Sequence, residues 1–366
     1  MTNAPLPTRG HDFKAARFGV IMSPRADQPH EAWGVLNPGG VRAPDGALHL
    51  FPRLIAEGNY SRIGHARVVF EGEAPVGVER LGVALEPHES YERSPGGGGV
   101  EDSRVTYVPE IARYVMTYTA FVPYEPRVAV AVSTDLTTWQ RLGLLRFETS
   151  PGDRLDLNVC GNKDAAFFPE VVSDPQGVAS LAILHRPTTR LHFRHHHEGM
   201  RMWRPPSGDE TQESIWISYV ALSAVLADIG NLTAVRRHER VMRAEQPWGS
   251  EKIGAGAPPV RMAYGWILTY HAVALANGRP RYSMGVAVLD GQRPSRVLYR
   301  SPDPVLEPET AYEKSGLVNE VVFPSATDLR ADGRLDVYYG AADHVIGAAR
   351  ITLPVGLPVL LHGVRA

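Results

Sequence analysis

Five pairs of β-rich runs recur along this chain, roughly 60 to 80 residues apart, and no other feature of the sequence constrains the fold as tightly. They are ALHLF (47–51) with IGHARVVF (63–70), RYVMTYTAF (113–121) with RVAVAVS (127–133), ASLAILHRP (179–187) with SIWISYV (214–220), GWILTYHAV (265–273) with YSMGVAVLD (282–290), and RLDVYYGAAD (334–343) with VIGAARITL (345–353). Each pair has the same grammar: a β-rich run ending in polar or aromatic residues, a short gap, then a strand of small residues. Apolar positions alternate or run on continuously and rarely follow the i, i+3, i+4 spacing of a helix. The main exception, ALSAVL (221–226), reads as one or two helical turns. The 35 Gly and 30 Pro are scattered between the runs, the punctuation expected of many short strands joined by turns. Small antiparallel sheets repeated around an axis leave few strand edges open. Five such units imply an all-β fold, a five-bladed β-propeller. The competing architecture is a β-sandwich with irregular connections. In STDLTTWQRLG (133–143) the Asp-Leu-x-x-Trp segment suits a hairpin whose Trp packs between sheets.

Charge excludes some function classes. With 38 Lys+Arg against 40 Asp+Glu, there is no electrostatic footprint for nucleic acid or an acidic membrane surface. A single cysteine, Cys160, excludes an internal disulfide framework. The beginning, MTNAPLPTRGHDF, has no apolar signal region, and no stretch approaches the roughly 20 apolar residues of a membrane helix. The expectation is a cytoplasmic protein, with one propeller domain spanning 1–366 and a surface loop inserted near 188–213. That loop contains HFRHHHEGMRMWRPP. Its His195, His196 and His197 have the composition of metal ligands, but neighbours on a strand point to opposite faces, so no metal site is expected. Nothing in the sequence sets an oligomeric state; a homo-oligomer is compatible with it.

In a propeller the ends of the inner strands face a central funnel, where polar residues from all blades converge. The stretch GVEDSRVTYVPEIARYVMTYTAF (99–121) fits that position: Glu101, Asp102 and Arg104 follow a run of glycines and precede two strands. Other chemistries lack their signatures. There is no Gly-x-Ser-x-Gly elbow, no phosphate-binding P-loop and no cysteine-rich zinc pattern.

The motifs LNPGGV (36–41), NYSRIGHARV (59–68), GVEDSRVTYV (99–108), NKDAAFFPEVV (162–172), LHRP (184–187), KIGAGAPPV (252–260), GWILTYHAV, VVFPSATDL (321–329) and YYGAADHVIGAA (338–349) occur in this order over nearly the whole chain. In them the chain resembles glycoside hydrolase family 130, five-bladed propeller enzymes that include inverting β-mannoside phosphorylases and some β-mannosidases. The resemblance implies that Asp102, in the family's Gly-x-Glu-Asp-x-Arg motif, is the general acid that protonates the leaving oxygen, in some relatives through a mannose hydroxyl. Glu101 beside it would raise the pKa of one of the two acids, and Arg104 would bind sugar or orient them. Asn37, Arg53 and Asp164 would contact the mannose ring that loses its bond. Tyr118, Tyr270 and Asp343 would line the funnel.

For the second half of the reaction the resemblance implies inorganic phosphate as co-substrate, with no other cofactor. Arg186, Lys252 and His271, with Lys163, match the phosphate-contacting positions. Gly254 and Gly256 would let backbone approach the ligand. The function implied is phosphorolysis of β-1,2- or β-1,4-linked manno-oligosaccharides to α-mannose 1-phosphate with inversion. Two residues depart from the phosphorylase pattern. Glu251 and Glu320 are candidate bases for water, which keeps an inverting β-mannosidase as the alternative. A non-catalytic glycan-binding propeller is the remote one, and the presence of Asp102 counts against it.

Overall fold

The computed structural model describes residues 13–93, 97–121, 125–150, 155–188 and 212–354. The first strand, β1 (Lys14–Met22), is set aside for the last blade. Blade 1 is β2 (Gly34–Arg42), β3 (Leu48–Ala56), β4 (Tyr60–Glu71) and β5 (Ala74–Leu85). Blade 2 is β6 (Gly98–Val108), β7 (Arg113–Phe121), β8 (Pro126–Ser133) and β9 (Gln140–Leu144), joined to blade 1 by the parallel pairs Tyr60–Gly98 and Ser61–Gly99. After the short β10 (Arg146–Phe147), blade 3 is β11 (Gly161–Phe167), the short β12 (Val172–Ser173), β13 (Ala179–Thr188), β14 (Ile215–Ala221) and β15 (Ala234–Met242). Blade 4 is β16 (Lys252–Ala255), the short β17 (Val260–Met262), β18 (Gly265–Ala276), β19 (Arg279–Leu289) and β20 (Val297–Arg300). Blade 5 is β21 (Val322–Leu329), β22 (Leu335–Ala341) and β23 (Val345–Thr352), completed by β1 pairing antiparallel with β23 from Lys14–Thr352 to Met22–Ile346. The protein is a five-bladed β-propeller closed by its own first strand.

The five pairs read from the sequence are the second and third strands of the five blades. They are apolar on both faces because each blade is covered on both sides. The buried apolar residues form five clusters, one between each pair of neighbouring blades. The cluster between blades 5 and 1 joins Tyr338 and Ile346 to Val35 and Leu50, so the ring closes through packing as well as pairing. Trp139 follows the predicted turn and meets Phe51 of blade 1 edge-on at 5.3 Å. The segment ALSAVL forms the helix Leu222–Ala227.

A second repeat was not read from the sequence. In blade 2, Glu92, in the turn before β6, is fully buried and accepts from Tyr118 of β7 at 2.6 Å and from Arg141 of β9 at 3.0 Å. In blade 5, Glu313 accepts from Tyr339 of β22 and Arg17 of β1, both at 2.8 Å. In blade 4, Gln246 takes the place of the acid: Tyr270 of β18 donates to it at 3.0 Å, and Arg300 of β20 donates to the Tyr270 hydroxyl at 3.0 Å. Each clamp ties the turn before the inner strand to the second and outermost strands of its blade. The tyrosine rings need room, and the third strands supply it: a Cβ at Gly285 or Gly347 would run into the ring of Tyr270 or Tyr339.

Candidate active site

The inner strands β2, β6 and β11 share an irregularity. Their pairing with the second strand slips between Leu36 and Gly39, between Glu101 and Arg104, and between Lys163 and Ala166. At each slip one residue takes left-handed backbone: Asn37 (φ 43°), Asp102 (φ 49°) and Asp164 (φ 53°). Asn and Asp are the non-glycine residues that tolerate this conformation best, and a bulge re-aims the side chain it carries. Three blades thereby turn one short polar side chain each out of the normal alternation. All three are residues the sequence motifs single out.

Two clusters result. In the first, Asn37 Nδ2 donates to Asp102 Oδ1 at 2.9 Å. Arg53 of β3 lies 2.5 Å from Glu101 and 3.6 Å from Asp102, and its Nε donates to Ser61 at 2.9 Å. Lys163 of β11 reaches to 3.9 Å from Glu101 and rests over the Phe121 ring. Asp343 sits in the β22–β23 turn with left-handed backbone (φ 50°). Burial pushes its carboxyl up to about 6, with Asp102 and Glu101 adding to the shift and Arg53 and Lys163 opposing it. Burial also raises Glu101, against the pull of Arg53 and Lys163.

The second cluster surrounds Asp164. Burial disfavours its charge, but Arg186, His271 and Arg104 outweigh that and hold the carboxyl well below the usual range. Arg186 of β13 donates to Asp164 at 2.5 Å and pairs with the buried Glu213 through its other arm. His271 Nε2 lies 3.6 Å from the same Asp164 oxygen, and its ring stacks on Phe323 of blade 5 at 4.4 Å. Burial lowers His271 to about 3, more than Asp164 raises it, so its imidazole is neutral near pH 7. Lys252 sets its ammonium over the Tyr282 ring. Arg104 joins the clusters: it is 1% exposed and donates to the backbone carbonyls of Asp102 (3.0 Å), Ser103 (3.1 Å) and Gly256 (2.5 Å). Its charge bears on both Asp102 and Asp164.

Asn37, Arg53, Glu101, Asp102, Lys163 and Asp343 thus meet in one cluster, and Asp164, Arg186, Lys252 and His271 in the other. Arg104 spends these donors on backbone, which fixes the bulge that carries Asp102 and so orients that acid. The expectations for Tyr118, Tyr270, Gly254 and Gly256 come out differently. Tyr118 and Tyr270 face away from the funnel: strand neighbours alternate, so His271 points to Asp164 while Tyr270 points into the blade 3–4 core and its clamp. Tyr118 is likewise spent in the blade 2 clamp. Gly254 makes room for protein side chains, since a Cβ there would collide with Asp164 and His271. The carbonyl of Gly256 receives Arg104.

Of the candidate bases, Glu320 turns its carboxylate to Arg281 at 3.5 Å, and Glu251 stands one residue before β16 with its N–H on Val273 O. The histidines 195–197 lie outside the described residues. Sequence reasoning missed Glu213, Ser61, Tyr282 and Phe323. Ser61 and Phe323 were inside quoted motifs; Glu213 closes the insertion and carried no signal of its own.

A family model described as beta-1,4-mannooligosaccharide phosphorylase matches residues 5–355. A 1,2-beta-oligomannan phosphorylase of Thermoanaerobacter sp. (strain X514) is 28% identical over 344 residues, covering 90% of this chain and 93% of that one. A beta-1,2-mannobiose phosphorylase of the same organism is 33% identical over 256 residues, covering 69% and 67%. Among solved structures, the beta-1,2-mannobiose phosphorylase of Listeria innocua in complex with beta-1,2-mannobiose superposes with a TM-score of 0.69 at 21% identity, covering 96% of this chain and 99% of that one.

Proposed function

Since the chain belongs to glycoside hydrolase family 130, we propose that it is a β-mannoside phosphorylase with Asp102 as the acid and with phosphate received beside Arg186, Lys252 and His271. In the reaction the C1–O bond of the mannoside breaks, and its electron pair goes to the leaving oxygen. Asp102 delivers a proton to that oxygen, because an alkoxide leaves poorly near neutral pH. A phosphate oxygen bonds to C1 from the opposite face, which converts the β-linkage into α-mannose 1-phosphate. An enzyme that consumes phosphate and yields a sugar phosphate fits a cytoplasmic location.

The observation that supports this reading most is the division of labour between the two clusters. One is rich in carboxyls and holds Asp102 between Asn37 and Arg53. The other is rich in donors. Arg186 is already neutralised by Asp164 and Glu213, and His271 is uncharged. Lys252 would therefore supply much of the uncompensated charge for an incoming dianion, with Arg186 and His271 as positioned donors.

The deciding experiment is product analysis on β-mannobiose isomers with and without phosphate. Mannose 1-phosphate should form in proportion to added phosphate. Lys252→Ala should cut kcat/KM for phosphate by roughly tenfold to a hundredfold, as expected for one charge-assisted contact. Free mannose released at an unchanged rate in phosphate-free buffer, with severe loss in Glu251→Gln or Glu320→Gln, would instead make the chain a hydrolase.

A further inference from the structure

Blades 2, 4 and 5 carry the clamp, and blade 1 has every part of it except the hydroxyl. Its turn acid is Glu31, 1% exposed. Its outer-strand arginine is Arg80 of β5, which holds Glu31 at 2.9 to 3.2 Å. Glu31 and Arg80 stand 49 residues apart, as do Glu92 and Arg141 in blade 2. The tyrosines of the other blades lie on the second strand across from a small residue of the third: Ala129, Gly285 or Gly347. In blade 1 that second-strand position is Pro52. It falls between the Leu50–Ala66 and Arg53–Ile63 pairs, across from Gly64. The third strand keeps the small residue, but the side chain of Leu54, not an aromatic ring, lies against it.

Beside Leu54 lies a pocket of about 240 Å³, open to solvent on one side and lined among others by Glu31, Pro52, Leu54, Gly64, Arg80 and Val83. An enclosed cavity of roughly 150 Å³ takes up benzene, so this volume has room for a substituted ring. The acid at its wall has acceptor capacity to spare. Glu92 and Glu313 each accept from two backbone N–H groups, an arginine and a tyrosine hydroxyl. Among the described residues, Glu31 accepts from the Arg25 N–H and from Arg80 alone. A buried carboxylate binds a further O–H strongly, and the neighbouring blades show which one fits.

We propose that this blade 1 cavity is a binding site for a small phenol, the ring lying against Pro52, Leu54 and Val83 and the hydroxyl donating to Glu31. The probe is p-cresol, the tyrosine side chain as a free molecule, titrated into the methyl-labelled full-length protein. The methyl resonances of Leu54 and Val83 should move and saturate. Toluene, with the same ring and no hydroxyl, should need about tenfold more or worse, the loss expected for one hydrogen bond to a charged group. Pro52→Tyr should fill the site, raise the melting temperature and abolish the titration. Should that variant not fold, the wild-type titrations decide alone. No saturable movement at these two methyls, equal titration by p-cresol and toluene, or undiminished binding to a folded Pro52→Tyr protein would each overturn the proposal.

Discussion

At Asp102 the backbone is left-handed, a conformation that costs most L-residues about 1 kcal/mol and Asn or Asp less. Asp102→Asn therefore tests the proton with the bulge preserved: the amide suits the same backbone but is not an acid. We expect kcat to fall by roughly 100- to 10,000-fold on an unactivated mannoside, with circular dichroism and melting temperature unchanged. A variant keeping more than about half of the wild-type rate would remove Asp102 from the reaction. Asp343 gives a different signal. Its folded-state carboxyl is raised to about 6, above the usual range for an unfolded Asp. The folded state thus holds a proton that the unfolded chain has lost, and stability falls as pH rises from about 4 through 6. Asp343→Asn has no such dependence, so its melting temperature should gain on the wild type across that interval; parallel pH curves would contradict the assignment. Most polar residues of the two clusters were legible because they sit in motifs. Which of two strand neighbours faces the funnel was not: Tyr270 and His271 read alike in sequence, and only the register separates them. Glu213 was invisible for another reason, being brought to Arg186 from 27 residues away by strand pairing across the insertion.

Among the elements, the middle strands of the blades were readable and the others less so. Middle strands are buried on both faces, so they read as apolar runs. The inner strands β2, β6, β11 and β21 are broken by bulges, and outer strands such as β5 are half-exposed with no clean alternation. The first strand, β1, has only its last two residues buried, and nothing local marks it as part of a sheet formed with the end of the chain. The clamps also leave a pattern that was missed: Glu92 precedes Tyr118 by 26 residues, Gln246 precedes Tyr270 by 24 and Glu313 precedes Tyr339 by 26. Their role is mechanical. Burial opposes the charge of Glu92, yet bonds from Arg141, from the backbone and from Tyr118 keep its pKa below the usual range. Removing the hydroxyl in Tyr118→Phe or Tyr339→Phe should cost about 1–3 kcal/mol in urea unfolding, the penalty for a strong acceptor left short of a donor. A change within error at both sites would mean the clamps are ornamental. At the inner edge of blade 4, Gly254→Ala drives a methyl into Asp164 and His271. It should lower activity more than stability, since the displaced groups belong to the site.

The molecule as a whole is a ring fastened by pairing its first strand to its last. Lys14 and Thr352 are register partners, so the beginning of β1 lies beside the end of β23. A circular permutant that joins them through a short turn, with new termini between β1 and β2, should fold with near-native circular dichroism and activity. Deleting residues 1–22 should instead expose the edge of β23 and cause aggregation or a large fall in melting temperature, since open strand edges invite pairing with other chains. A deletion mutant as stable as the parent would show the fastening to be dispensable. The same arrangement sets an order in time. A ribosome extends a chain at about 5–20 residues per second, so β23 follows β1 by on the order of tens of seconds. Throughout that interval β1 has been made and its partner has not. Blades 1 to 4 can assemble as they emerge, but this strand waits with its edge open until β23 has been made. The clasp that covers the edge of β23 in the finished ring thus leaves an unpaired strand on every nascent chain, and residues 14–22 are where a chaperone would have most to protect.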